Sequence, residues 1–199
     1  MKIIRSIVVC VLLLSLFPSI FGTYRLVEDA HGLVTLAGLN SDEISFNPYS
    51  NNSVFFTPQM AVWVLESFDY PYDNCSAPHQ RIGICSTPLI IWAGRGIGLN
   101  GNESDERLYY LINLFISKQL PINSMHDGYT SVHEAILYNN ARLLSTLLEK
   151  GGDASVKVVK PGSIYDGLNA YQYLELLKQR SKSDTSELER VLLRNKENT

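Results

Sequence analysis

The residues of this chain that could do chemistry are four histidines, three cysteines and one glycine-rich turn. Gly96, Gly98 and Gly101 spell G-x-G-x-x-G between the apolar run LIIWAG and a helical pattern, the setting of a dinucleotide-binding turn whose backbone approaches a pyrophosphate. Three features oppose that chemistry. No second strand pattern follows the helix, the position about 20 residues beyond Gly101 is Pro121 rather than an acid, and the apolar run already belongs to a helix that starts at Thr87-Pro88-Leu89. His31, His79, His126 and His133 are scattered, and neither C-x-x-C nor H-E-x-x-H occurs, so no metal centre is expected. Cys75 and His79 suggest a nucleophile and base, yet they lie in a flexible loop with Cys85 at hand to take the sulfur into a disulfide. There is no G-x-S-x-G elbow either, so no catalytic residue and no cofactor is expected.

A chain without reactive groups must act through its folded surface and its location. With 199 residues and 45% hydrophobic content it can bury one sizeable core and has no signature of global disorder. Residues 1–22 have a secretory layout: Lys2 and Arg5, an apolar run from Ile7 to Leu16, then Pro18 and Gly22. Ile20 and Gly22 match the small-x-small cleavage pattern poorly. Cleavage is therefore weighed against an uncut leader, residues 3–21, attached to the inner membrane, although the run is short of the about 20 residues a spanning helix needs. Cys10 lies inside the run and reads as a small hydrophobe. Without the leader, Cys75 and Cys85 remain as an even pair in an oxidising compartment, so a disulfide is expected rather than two separately packed thiols. Removing Lys2 and Arg5 from 17 basic residues leaves 15 against 20 acidic ones, a net of −5, which argues against nucleic acid and for a basic protein partner. Asn51, Asn74 and Asn102 stand in N-x-Ser sequons, which matter only in a eukaryotic secretory pathway.

The elements that must build this surface can be read in order. Thr23–Asn40 has Val27, Ala30, Val34 and Ala37 at helical spacing, weakened by Gly32. Thr57-Pro58 reads as a cap followed by a proline at the first helical position, and Met60–Phe68 as a mostly buried helix. Residues 23–85 together are read as a helical N-terminal cap carrying the disulfide loop. Beyond Gly101, Ser104 is read as a cap for a helix from Asp105 to Lys118 with Leu111, Leu114 and Phe115 inward. A last helix is expected over Ser186–Arg194, with Leu188, Val191 and Leu192 inward and Lys196–Thr199 frayed.

The clearest stretch is Asp127–Asp153, DGYTSVHEAILYNNARLLSTLLEKGGD. Thr130 caps a helix over Ser131–Tyr138, Asn140 caps a second, Leu143, Leu144, Leu147 and Leu148 form its apolar face, and Gly151 supplies a left-handed stop. Neither helix is long enough to be stable alone or to hide its leucines, so the pair needs neighbours. Gly128, Thr130, His133, Ala135, Leu147, Leu148, Gly151 and Asp153 fall on the Gly-x-Thr-Pro-Leu-His-x-Ala and Leu-Leu-x-x-Gly-x-Asp positions of the ankyrin repeat, which the stretch resembles. Ser131 and Val132 replace the family's Pro-Leu. Thr87, Pro88 and Leu89 repeat part of the signature, with Ile90 at the histidine position, and Asp166-Gly167-x-Asn169 stands where Asp127-Gly128-x-Thr130 stood. The resemblance implies an all-α fold, an ankyrin-repeat solenoid over residues 86–199 with repeats at about 86–123, 127–158 and 166–195, and a structural place for His133 beside the Thr130 cap. Thr87 to Thr130 spans 43 residues and Thr130 to Asn169 spans 39, against a period of about 33, so the surplus is assigned to loops, an elongated hairpin or loop at 153–165 among them.

Ankyrin stacks resemble one another in presenting finger tips and first helices along a groove. For this chain the resemblance implies a partner surface of Asn123, Ser124, Met125, His126, Asp127, Tyr129, Glu134, Leu137 and Tyr138. Aromatic residues with polar tips, here His126, Tyr129 and Tyr138, are the kind that dominate interface energy. A short secreted chain of this type, acidic and with a disulfide, looks like the periplasmic immunity proteins that bacteria use against delivered toxins. Ankyrin-type members are similar to the partners of lipase effectors of type VI secretion, which implies a one-to-one complex occluding a phospholipase. The alternative is a non-inhibitory adaptor of the cell envelope or secretory pathway.

Overall fold

A computed structural model describes residues 29–40, 57–67, 70–73 and 75–197. They are predominantly helical, with one short two-stranded sheet. The expected leader, Cys10 and the sequons at Asn51 and Asn74 lie outside the described residues. Among the described residues no helix is long and apolar enough to cross a membrane. The chain divides into two compact units, the described residues up to Cys85 with Gly96–Leu111, and Ser86–Arg95 with the residues from Ile112 onward.

In the first unit, helices α1 (Ala30–Ala37) and α2 (Pro58–Ser67) pack together. Asp29 starts α1 by accepting the Gly32 N–H at 2.9 Å, and Thr57 Oγ1 accepts the Met60 N–H at 3.1 Å, so each helix has one of its orphan donors satisfied. Ala30, Leu33, Leu36, Ala61 and Leu65 are fully buried. Helix α3 (Ala77–Arg81) and the 3-10 turn Ile84–Ser86 bury no side chain of their own, and Cys75 pairs with Cys85 across them, the Cα atoms 6.0 Å apart. In the chain-entropy account, closing a loop of this length contributes roughly 2–3 kcal/mol, which offsets the missing core.

Helix α4 (Leu89–Gly96) ends where a side chain would collide, since a Cβ on Gly96 would stand 2.9 Å from Leu108 Cδ1. The glycine-rich turn then closes on its own helix: Gly98 has a φ of 85° and donates its N–H to Asp105 Oδ1 at 2.7 Å. Helix α5 runs over Asn102–Ser117, earlier at both ends than the sequence reading. Ser104 is not its cap. It is buried inside the first turn and donates to the Gly38 carbonyl at 2.6 Å. Arg107 donates from Nε to the Ala37 carbonyl at 2.8 Å and from Nη2 to that of Leu39 at 2.7 Å, a cation on the open carbonyls at the end of α1. Leu108, Leu111, Ile112 and Phe115 are buried on α5, whereas Leu114 is only half-buried.

The second unit contains the hairpin β1 (Met125–His126) and β2 (Tyr129–Thr130), then α6 (Ser131–Leu137), α7 (Ala141–Glu149), α8 (Ala170–Arg180) and α9 (Ser186–Glu197). Helix α6 packs on α7 and on α8, while α7 also packs on α9. First helix thus lies on first and second on second. Leu143, Leu144, Leu147 and Leu148 are all buried, joined by Val132, Ala135, Ile136, Leu174, Leu188 and Leu192. Each of the leucine, isoleucine and valine side chains contributes about 1.5–3 kcal/mol relative to exposure, which neither pair could gather alone. Local chemistry sets the ends. Asn140 Oδ1 accepts the Leu143 N–H at 2.9 Å, and Asn169 and Gln172 cap each other's backbone N–H at 3.1 Å. Gly151 adopts a φ of 99° while Gly152 donates to the Leu147 carbonyl at 2.8 Å, the left-handed stop the sequence calls for. Helix α9 extends through Lys196 to Glu197, beyond the expected Arg194, so Lys196 and Glu197 are not frayed.

Candidate protein-binding site

The finger is built by Asp127 and Gly128, whose φ values of 51° and 86° make the mirror-image turn that joins two strands with a two-residue loop. Met125 pairs with Thr130 and His126 with Tyr129. The glycine is required twice over. Besides its positive φ, a Cβ at Gly128 would overlap the Val159 carbonyl oxygen, and the Gly128 carbonyl accepts the Val159 N–H at 3.0 Å. The finger therefore carries the inserted segment beside it. That segment is a closed loop rather than a strand pair: Val158 bonds Leu168 and Gly167 through its N–H and carbonyl, each at 2.9 Å, and the Lys160 N–H donates to Asp166 Oδ1 at 2.7 Å.

Among the residues the sequence assigns to partner contact, several have positions inside the unit. Asn123 accepts the Asp153 N–H at 2.9 Å and donates to the Gly151 carbonyl at 3.3 Å, tying the finger's base to the end of α7. The half-buried Ser124 donates its N–H to the Pro121 carbonyl at 3.3 Å. His126 lies 3.3 Å from Thr87 Oγ1, from the Ser86 carbonyl and from the Asp127 carboxylate. Tyr129 packs on Tyr173 with ring centres 5.9 Å apart and carries Lys160 Nζ 5.0 Å above its ring. Glu134 is buried and forms a forked ion pair with Arg95, Nε to Oε2 at 2.8 Å and Nη2 to Oε1. The hydrogen bond and charge of Glu134 hold the Arg95 guanidinium above its ordinary pKa. Four of the nine face solvent: Met125, Asp127, Leu137 and Tyr138, with Leu137 and Tyr138 about half exposed.

Gly151 and Asp153 of the repeat signature are exposed, and most of its other residues are internal. Thr87 and Leu89 are buried, Pro88 is half-buried and its carbonyl accepts the Trp92 N–H at 2.9 Å, and Thr130, His133, Ala135 and Leu147 have no exposed surface. His133 Nδ1 lies 2.8 Å from Thr130 Oγ1 and accepts the Thr130 N–H at 3.4 Å. Its ring stands edge-on to Tyr173 at 5.5 Å, and Tyr165 also packs edge-on to Tyr173 at 5.1 Å. Burial pushes the His133 pKa down to about 4 and the Tyr173 phenol well above its usual range.

The same unit has a feature absent from the sequence-based expectations. A groove of about 430 Å³ runs along α8 beside the inserted loop, lined by Ile164, Leu168, Tyr171, Gln172, Glu175, Leu176 and Gln179. Its helical part is two rows at spacing four, Leu168, Gln172, Leu176 and Tyr171, Glu175, Gln179, which occupy one face of α8 and its lead-in. That spacing was available in the sequence. Ile164 and Val159 add exposed apolar surface from the loop. Compared with family models, curated proteins and solved structures, the chain matches none.

Proposed function

We propose that this chain is an ankyrin-type repeat protein acting as a periplasmic immunity protein. In this reading it binds a secreted antibacterial phospholipase, of the kind delivered by type VI secretion, in a one-to-one complex that covers the toxin's active or membrane-docking site. The stacking of α6 on α8 and α7 on α9 supports the repeat architecture. The observation that carries the binding role is the apolar surface left over once that stack is closed. Met125 on the finger, Leu137 and Tyr138 at the end of α6, and Val159 and Ile164 on the inserted loop stay exposed, and Ile164 also lines a groove able to receive a partner's anchoring side chain. The excess of acidic residues favours a basic partner surface and speeds its approach.

The test is co-expression with the toxin encoded beside this gene. The expected result is copurification at equal stoichiometry and protection of the host cell. Joint Ile164→Asp and Leu176→Asp substitution, with the helical content unchanged, should weaken the complex at least about 100-fold, the loss of two desolvated anchors. A toxin that neither copurifies nor is neutralised rejects the reading, and full affinity in the double variant rejects the groove as its site.

A further inference from the structure

The first unit holds a cluster that closing a loop does not require. Asp29 has no exposed surface, and its carboxylate and the sulfurs of Cys75 and Cys85 all lie within 4.8 Å of one another. The carboxylate accepts the Gly32 N–H at 2.9 Å, the Ser76 N–H at 2.8 Å and faces His79 Nδ1 at 2.8 Å. A carboxylate offers about four acceptor positions, and these donors together with the Ser76 hydroxyl hold it in place. Burial raises the Asp29 pKa, but the hydrogen bonds from Gly32, Ser76 and His79 outweigh it and the group stays ionised. Asp29 caps α1 in either redox state, and beside two free thiols it would be a third ligand for a divalent ion. Two sulfurs and a carboxylate oxygen form a thiolate-rich zinc donor set, in which ligand atoms roughly 2.0–2.3 Å from the ion stand roughly 3.3–3.8 Å apart.

We propose that the Cys75–Cys85 bond and a Zn²⁺ site are alternative closures of one loop. In the reduced chain the two thiolates and the Asp29 carboxylate bind a single zinc ion, and His79 acts as a positioning residue that holds the carboxylate. A dithiol reductant supplies two electrons and two protons, breaking the S–S bond to leave two thiols while it closes to its own disulfide. Zinc then forms two Zn–S bonds and both thiol protons pass to solvent. Each closure uses the same sulfurs, so each excludes the other. Sequence spacing concealed the site because Asp29 stands 47 residues before Ser76, outside any local motif.

The full chain, oxidised or reduced, is titrated with Co²⁺, whose thiolate charge-transfer absorption reports sulfur ligation, and with Zn²⁺ against a chromophoric chelator. The reduced chain should take up one equivalent with the charge-transfer band, and the oxidised chain none. Cys75→Ser should abolish the band. Asp29→Asn retains a capping oxygen for α1, so the fold survives, and zinc affinity should fall at least about tenfold. His79→Ala should lower affinity about tenfold and His79→Gln, which can still donate to the carboxylate, should restore part of it. The proposal is overturned if reduced chain binds no more cobalt than Cys75→Ser, if oxidised chain binds as much as reduced, or if Asp29→Asn leaves affinity and spectrum unchanged.

Discussion

Acid should loosen the second unit through one side chain, His133. Its ring has no exposed surface, and burial lowers its pKa from 6.5 to about 4. Nδ1 accepts the Thr130 N–H, which places the neutral ring's proton on Nε2, set against the Leu168 backbone without a well-aligned hydrogen bond. Protonating Nδ1 would set a donor against the Thr130 N–H and force the Thr130 hydroxyl to turn and accept, beside the aromatic rings of Tyr129 and Tyr173. The unfolded chain takes up this proton near pH 6.5 and the folded chain only near pH 4. Between those values stability therefore falls as pH falls, and above them the group contributes no pH dependence. The loss amounts to about 1 kcal/mol by about pH 5.5 and about 2–3 kcal/mol by about pH 4.5. His133→Gln is the comparator, because glutamine at this position still completes the capping box with Thr130 but does not titrate. Urea unfolding of both chains from about pH 7.5 to about pH 4.5, read by hydrogen–deuterium exchange of peptides covering residues 127–150, isolates the effect, since the other titrating groups are common to both. The wild-type chain should lose about 2–3 kcal/mol more than the variant. Parallel curves would refute the reasoning.

Two further perturbations test how this unit is held. Gly128→Ala places a Cβ at a φ of 86° and 2.8 Å from the Val159 carbonyl carbon, so it should cost at least about 2 kcal/mol and strip exchange protection from the Val159 amide. Wild-type protection there would mean that the finger does not anchor the inserted loop. Arg95→Met leaves the buried Glu134 carboxylate without its partner and should cost about 3 kcal/mol, while Arg95→Met with Glu134→Leu should recover most of the loss. A double variant as unstable as the single one in thermal melts would show that lost packing, not an unpaired charge, is responsible.

What the sequence disclosed and what it hid follow from how far apart the interacting groups are. The apolar row Leu143, Leu144, Leu147, Leu148 and the caps at Asn140 and Asn169 depend on residues within one turn, and all are legible. Ser104 was misread because Asn102 and Ser104 both suit a helix start, and only the Gly38 carbonyl, 66 residues away, fixes the hydroxyl in the interior. Glu134 reads as surface because charged residues are seldom buried unless paired, and its partner Arg95 is 39 residues upstream. Tyr129 reads as a free anchor for the same reason, since its partners Tyr173 on α8 and Lys160 in the inserted loop stand far along the chain.

That loop explains why the stacked helices were easier to foresee than the binding surface. Helical periodicity constrains residues that must hide, and it is silent about residues in the connection between α7 and α8. Here the surplus from Thr130 to Asn169 does more than lengthen a connection. Val158 closes the loop's base, Val159 docks it on Gly128, and Tyr165 locks it to Tyr173, so that Ile164 and Leu168 form one wall of the groove whose other wall is α8. Insertion cost little because the loop supplies its own backbone partners. A shorter connection between α7 and α8 would keep the buried leucines and lose the Ile164 side of the groove.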